Sequence, residues 1–238
     1  MKETLIKGLP GLGLTLPEET CDTLCAFGEA VVEQNKVMNL TAITDPEAVA
    51  KLHLLDSLTV LKAVDLKGTR LIDVGCGAGF PCLPLALVRP DLSITALDST
   101  EKRVRYVADT AKALSIPGLS TLAARAEDAA RTGSDLREHF DVATGRAVAP
   151  LRLLAELCLP FVRVGGTFIA MKAKKGEEEL SEAENAIKRL GGELAALHRI
   201  ELCCGEERET RYIIEITKKK PTPADLPRPW ARMLKKPL

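Results

Sequence analysis

Aromatic residues make up only 3% of this 238-residue chain: five Phe, two Tyr and one Trp. That is too few for a platform on which successive bases of a single strand stack. Any nucleic-acid binding must then rest on charge and shape. No apolar run is long enough to cross a bilayer. The first residues, Met1-Lys2-Glu3-Thr4-Leu5, lack a secretory pattern, and a cytoplasmic location is expected. The seven cysteines, at 21, 25, 76, 82, 158, 203 and 204, are odd in number and include no C-x-x-C pair. Reduced, mostly buried thiols are expected, and no metal site. Net charge is also lacking, with 33 basic residues against 33 acidic ones.

That balance hides an uneven distribution. Residues 1–50 carry three Lys and eight Asp or Glu, whereas residues 218–238 carry seven Lys or Arg and one Asp. A basic tail fits a polyanionic partner and serves equally well as a solubilising segment; charge alone leaves both readings open. The remainder is ordinary globular composition, 46% hydrophobic and 28% charged, and long enough for one α/β domain with a full core and a small extension.

The most informative stretch is Leu71-Ile72-Asp73-Val74-Gly75-Cys76-Gly77-Ala78-Gly79-Phe80-Pro81. Apolar, β-branched residues open it as a strand, three alternate glycines turn it, and Pro81 suits the start of a helix through Leu83, Leu85 and Val88. Strand, glycine turn and helix begin a nucleotide-binding α/β unit. The pattern is G-x-G-x-G, not the G-x-G-x-x-G of a dinucleotide site, and Asp73 precedes it by two residues. A carboxylate there repels a pyrophosphate and suits the ammonium of an amino-acid ligand. S-adenosylmethionine has that ammonium and no phosphate. Asp98 closes the next strand, 23 residues after Gly75, where a carboxylate can accept both ribose hydroxyls.

Around this unit the chain alternates. Residues 1–15, with Gly8, Pro10, Gly11 and Gly13, read as loose structure. A helix follows from about Pro17 to Asn35. Another opens with a Thr44-x-x-Glu47 capping box and buries Leu54, Leu58 and Leu61. On it, His53 and Asp56 share a face; a polar pair in a cleft and a helix-surface pair are both open, and spacing alone favours the surface. Strands are expected at 71–75, 93–98, 119–123, 140–144 and 167–171, with intervening helices, then an antiparallel pair at 198–202 and 212–217. The expected fold is α/β, a doubly wound, mostly parallel seven-stranded sheet of the class I S-adenosylmethionine-dependent methyltransferase type. Residues 1–64 would form an N-terminal helical extension and residues 65–238 a Rossmann-like domain with a basic tail.

Ligands of such sheets sit beyond the carboxyl ends of the strands, so the turns at 75–80, 98–100, 126–128 and 145–147 share one edge. There the Gly75, Gly77 and Gly79 backbone would pass under the methionine portion, with Phe80 as an apolar wall. The Ala126 amide and Glu127 carboxylate could read adenine, although Glu127 is also a common helix-start acid. Arg146 follows the fourth strand, where the reactive methyl should point; a bidentate ligand contact and a salt bridge are both open. Lys172, Lys174 and Lys175 share that edge. With Lys218, Lys219, Lys220, Arg228, Arg232, Lys235 and Lys236 of the tail they suggest a surface for a nucleic-acid backbone.

These motifs, in order, resemble those of the small-subunit ribosomal RNA methyltransferase G family, also called glucose-inhibited division protein B. The resemblance runs from about Asn35 onward through Asn39-Leu40-Thr41-Ala42-Ile43, His53-x-x-Asp56-Ser57-Leu58, the glycine turn, Leu97-Asp98-Ser99-x-x-Lys102-Arg103, Ala126-Glu127, Arg146-Ala147 and the lysine-rich tail. Cys82 and Gly145 depart from it, standing where the family usually has glycine and often serine. The resemblance implies S-adenosylmethionine-dependent methylation of guanine N7 in the decoding-region loop of 16S ribosomal RNA. It carries over Gly75, Phe80, Ala126, Glu127 and Arg146 as cofactor contacts, with Asp98 and Ser99 as additions. N7 bears a lone pair and no proton, so no general base is required; Arg146 would hold O6. A metal-free monomer acting on 16S rRNA or the small subunit is expected. The rival readings are a methyltransferase for another RNA, a protein or a small molecule, a nucleotide-dependent oxidoreductase, and a non-enzymic ribosome assembly factor.

Overall fold

The structure, a computed structural model, describes residues 1–204 and 207–238, with the side chains of residues 203, 204 and 207 outside the description. Seven strands form one sheet: β1 (Arg70–Val74), β2 (Ser93–Asp98), β3 (Leu119–Ala123), β4 (Phe140–Arg146), β5 (Val162–Lys172), β6 (Gly192–Cys204) and β7 (Glu207–Lys218). Their order is β3-β2-β1-β4-β5-β7-β6. The first five run parallel, and β7 lies antiparallel between β5 and β6. The chain order reverses between β1 and β4, and there a doubly wound sheet opens its crevice.

Side-chain alternation along the strands separates two cores. Leu71 of β1 and Val142 of β4 face one cluster, with Leu24, Phe27, Leu54 and Leu58. Ile72 and Ala143, one residue on, face the other, with Leu154, Phe161, Leu180 and Met233. The first face is covered by N-terminal helices: α1 (Lys2–Gly8), α2 (Glu18–Met38), α3 (Pro46–Val49), a π-helical turn at Ala50–Leu55 and α4 (Asp56–Ala63). The remaining helices are α5 (Cys82–Val88), α6 (Glu101–Ala113), α7 (Ala126–Ala129), α8 (Leu151–Cys158), α9 (Gly176–Arg189) and α10 (Trp230–Lys235).

Three local expectations are corrected. Residues 1–15 are ordered, as α1 and a 3-10 turn at Leu9–Leu12, with Leu5, Leu9 and Leu12 buried. Gly8 allows close approach there: a Cβ would run into Leu55. The cap of α3 is Asp45, whose Oδ1 accepts from Ala48 N–H at 2.9 Å, and not Thr44. β5 begins earlier than its apolar run because a shifted register carries it back through Gly165-Gly166 to Val162, and β6 because its pairing with β7 starts at Gly192↔Lys218. Cys21, Cys25, Cys76, Cys82 and Cys158 are buried thiols; Cys203 and Cys204 fall outside the described side chains.

Candidate active site

The glycine turn hangs on the end of β2. Gly75 and Cys76 both donate their N–H to Leu97 O, at 2.7 and 3.0 Å, and Gly77 donates to Asp98 Oδ2 at 3.0 Å. Gly75, Gly77 and Gly79 have φ of 76°, 57° and 97°, in the region that favours glycine. Their surroundings differ. A Cβ on Gly75 would lie 2.5 Å from Val148, and on Gly79 2.5 Å from Leu83, whereas on Gly77 it would meet only Gly75 O at 3.9 Å.

Above the turn lies a cavity of about 470 Å³. Gly75, Gly77, Phe80, Asp98, Ser99, Ala126, Glu127 and Arg146 line it, brought together from the ends of four strands. Two expected residues do not. Gly79 packs downward against Leu83 and Phe27. Asp73 is buried beneath the floor, where Oδ1 accepts from the Thr144 hydroxyl at 2.9 Å and Oδ2 from Cys82 N–H at 3.3 Å. It ties β1 to β4 and to the start of α5, so a direct contact with a ligand ammonium is not its arrangement. Burial pushes its carboxyl up to about 6, and the Thr144 and Cys82 hydrogen bonds oppose that. Asp98 stays in the wall. Its oxygens accept from Thr100 and Gly77 N–H, at 2.8 and 3.0 Å, and each keeps acceptor capacity. The Ala126 amide belongs to the first turn of α7, where N–H groups lack intrahelical partners.

Arg146 closes the cavity on the far side and is held from three directions. Its Nη1 donates to Asp56 Oδ2 at 2.8 Å and to Leu52 O at 3.2 Å, and its guanidinium lies 5.2 Å from the Phe80 ring centroid. Its Nη2 lies 3.4 Å from His53 Nδ1. His53 stacks on Phe80 at 4.6 Å between centroids, and its Nε2 lies 2.7 Å from Thr41 Oγ1. Because Nδ1 faces a donor, it is the acceptor nitrogen and Nε2 carries the proton. Burial, reinforced by Arg146, lowers the His53 pKa to about 4, so the ring is neutral. His53 and Asp56 are therefore a buried polar pair, at 8% and 6% exposure, and not a helix-surface one. The sheet supplies the cause: Asp56 also accepts from Arg211 Nε of β7 at 2.8 Å, a partner 155 residues away in sequence.

The expected basic surface divides. Lys174, Lys175, Lys219, Lys220, Arg232, Lys235 and Lys236 are exposed. Lys172, Lys218 and Arg228 are not, which corrects their assignment to that surface. Lys218 is fully buried and donates to Leu159 O at 2.7 Å and to Thr222, near Glu138 at 3.3 Å. Burial lowers its pKa to about 8. Arg228 donates to Glu156 through Nε and Nη2. Lys172 is paired with Glu179 at 2.7 Å. Fixed polar partners inside the fold compensate the desolvation of each cation.

A switch-point cavity, a glycine turn beneath it and carboxylates from successive strands define a class I S-adenosylmethionine-dependent methyltransferase. The family described as rRNA small subunit methyltransferase G (GidB) matches residues 20–209. The Ribosomal RNA small subunit methyltransferase G of Staphylococcus carnosus is 42% identical over 237 residues, covering 99% of this chain and 98% of that protein. That of Lachnoclostridium phytofermentans is 41% identical over 236 residues, covering 99% and 96%. In fold, the chain is similar to YcgJ from Bacillus subtilis, with a TM-score of 0.54 at 12% identity over 71% of this chain and 100% of that one. It is also similar to M. jannaschii TYW2 in complex with AdoMet, with a TM-score of 0.52 at 13% identity over 65% and 71%. The chain belongs to the rRNA small subunit methyltransferase G family.

The residues present fit its cofactor. Gly77 leaves open the space that a Cβ would fill, and Asp98 and Glu127 offer acceptors beside the Ala126 amide. When bound, S-adenosylmethionine would supply an electrophilic methyl group, and the residues lining the cavity would hold it. Sequence reasoning passed over Thr41, Val148 and Trp230, which also line the cavity, and Arg211, which anchors Asp56. Thr41 stands within the Asn39-to-Ile43 motif, but no sequence signal links Arg211 to Asp56.

Proposed function

We propose that this chain transfers the methyl group of S-adenosylmethionine to N7 of a guanine in the decoding-region loop of 16S ribosomal RNA, as a metal-free monomer in the cytoplasm. On this reading Gly75, Gly77, Phe80, Asp98, Ser99, Ala126 and Glu127 contact the cofactor, Asp73 and Gly79 support the turn, and Arg146 orients the base. Residues 1–64 form the helical extension of a methyltransferase unit over 65–238, and the exposed lysines meet the RNA backbone.

The observation that carries the reading is the state of His53. It is the cavity's imidazole, and its Nδ1 lone pair is engaged by the Arg146 guanidinium. With a pKa near 4 it is a poor general base. Guanine N7 has no proton to remove, so such a site can act by alignment alone, presenting N7 in line with the sulfur–methyl bond. The donor loses its positive charge as the purine gains one. No helix among the described residues is long and apolar enough to cross a membrane.

Labelled S-adenosylmethionine, offered with small subunits and with naked 16S RNA lacking the modification, tests this. The expected product is 7-methylguanosine at one position. Arg146→Ala should lose activity by about 100-fold, in line with the removal of a buried, multiply bonded charge; unchanged turnover would remove Arg146 from the base-positioning role.

A further inference from the structure

A second cavity, of about 520 Å³, lies against the first and shares His53, Arg146, Ala147 and Val148 with it. The common wall is the turn after β4, where Ala147 takes a left-handed φ of 55° without being a glycine. Holding a non-glycine residue there costs free energy, and such strain collects at functional turns. The second cavity has Pro150, Met171 and Ile213 as its apolar lining, the Asp56–Arg146–Arg211 cluster beside them, and the Lys172–Glu179 pair.

The hydrogen bonds of that pair are incomplete in a specific way. Lys172 Nζ has three donors; one goes to Ala149 O at 2.7 Å, and the ammonium is ion-paired with Glu179 Oε2 at 2.7 Å. Glu179 Oε2 also accepts from Leu151 N–H at 2.7 Å. One ammonium proton and the whole of Glu179 Oε1 are without a hydrogen bond among the described residues. The cavity end thus offers one donor beside one acceptor, fixed in order by the backbone at 149 and 151.

Resting on the N7-methylation reading above, we propose that this second cavity seats the target guanine and that Lys172 and Glu179 read its Watson–Crick edge. Lys172 donates to O6, and Glu179 Oε1 accepts from N1–H and from the N2 amino group. Adenine presents the opposite order, a donor at N6 and an acceptor at N1, and meets two like-directed groups. O6 has a second lone pair, on the N7 side, and Arg146 stands in the shared wall to take it. N7 then faces the cofactor cavity. In the transfer the N7 lone pair forms the new bond to carbon. The sulfur–methyl bond breaks with its electron pair left on sulfur, giving S-adenosylhomocysteine, and the purine becomes a cation. That charge makes N1–H a stronger donor, so the bond to Glu179 strengthens as the reaction proceeds, which is how an interaction adds to turnover. Lys172 and Glu179 are thus specificity-determining residues at the end of the site remote from the methyl group.

The test compares 16S RNA ligated to carry guanosine or inosine at the target position; inosine keeps O6 and N1–H and lacks the N2 amino group. Wild-type enzyme should prefer guanosine by about 10- to 100-fold in kcat/KM, the effect of one hydrogen bond to a charged group. Glu179→Gln turns its amide oxygen toward Lys172 and Leu151 and its N–H₂ toward the base. Its activity on guanosine should fall by about 100-fold or more, the guanosine-to-inosine ratio should approach one, and S-adenosylmethionine affinity should stay within about twofold. Wild-type enzyme that methylates inosine as well as guanosine overturns the proposal without recourse to any variant. So does a Glu179→Gln enzyme that keeps the wild-type ratio, since an ion pair with a structural role alone would not move it. Failure of wild-type enzyme to form 7-methylguanosine on the guanosine substrate instead overturns the reading on which this inference rests.

Discussion

Gly77 and Gly79 stand two residues apart with the same backbone handedness, yet their lost side chains would enter different spaces. Gly77→Ala should lower S-adenosylmethionine affinity by about tenfold while unfolding changes by only about 1 kcal/mol, the cost of a left-handed alanine. Gly79→Ala should cost about 3 kcal/mol or more, because its Cβ meets Leu83 as well. Urea unfolding with and without cofactor separates the two. His53 gives a pH signature. Its folded pKa of about 4 lies below its ordinary 6.5, so an unfolded chain takes up the proton first as pH falls. The stabilisation from burying the neutral ring is full above about pH 6.5 and is lost toward pH 4, amounting to at most about 3 kcal/mol. Asp73 works in the opposite sense: raised from 3.8 to about 6, it favours the fold below 3.8 and loses that as pH rises through 6. Wild-type stability mixes both, so the difference between wild type and His53→Gln isolates the histidine. That difference should shrink between pH 7.5 and 4.5; a constant difference would refute a neutral buried ring.

Among the elements, α1 was the least legible. Gly8, Pro10, Gly11 and Gly13 are turn residues, and local propensity reads them as loop. Their neighbours Leu5, Leu9 and Leu12 are buried in the core that underlies the π-helical turn bearing His53. Leu5→Ala should therefore cost about 3 kcal/mol, the range for a fully buried leucine, which a loose segment would not. The βα units were legible because each couples an apolar strand to a turn and a 3.6-residue stripe within a short span. β5 and β6 ran past their apolar runs because pairing with β4 and β7 extends strands through polar residues. The Thr44 cap failed by one residue, since Asp45 occupies the extended position before Pro46 and has the shorter reach to Ala48 N–H.

For the molecule as a whole, charge is divided between a solvated surface and internal ties, and composition does not distinguish them. Lys219 and Lys220 are exposed beside Lys218, whose Nζ is inside the protein. Replacing Lys219 and Lys220 with Gln should lower the salt dependence of RNA binding, log K against log salt, by about 0.7 to 0.9 for each phosphate no longer neutralised. Lys218→Gln should leave that slope unchanged and instead cost about 2 kcal/mol of stability, from the orphaned Leu159 carbonyl and Glu138 carboxylate. Filter binding across a salt series and urea unfolding of the same variants check both.

The sequence by itself determined the order of the strands and helices, the glycine turn and the acids at the ends of β1 and β2. Those are local properties: strand periodicity, handedness at glycine, and a carboxylate at a strand end. From the βα order alone it also followed that Gly75, Asp98, Ala126, Glu127 and Arg146 share one edge, because parallel strands end on the same side. Tertiary structure decided what each polar group does there. Asp73 and Asp98 differ in sequence only by position, yet one lies under the floor on Thr144 and the other in the wall. His53 and Asp56 went inside because Arg146 and Arg211, from two distant strands, meet them. Lys172 became the end of a cavity through Glu179, while Lys218 and Arg228 became buried ties. Whether a charge is solvated or paired depends on which group the sheet brings opposite it, and that partner is not encoded near it in the chain.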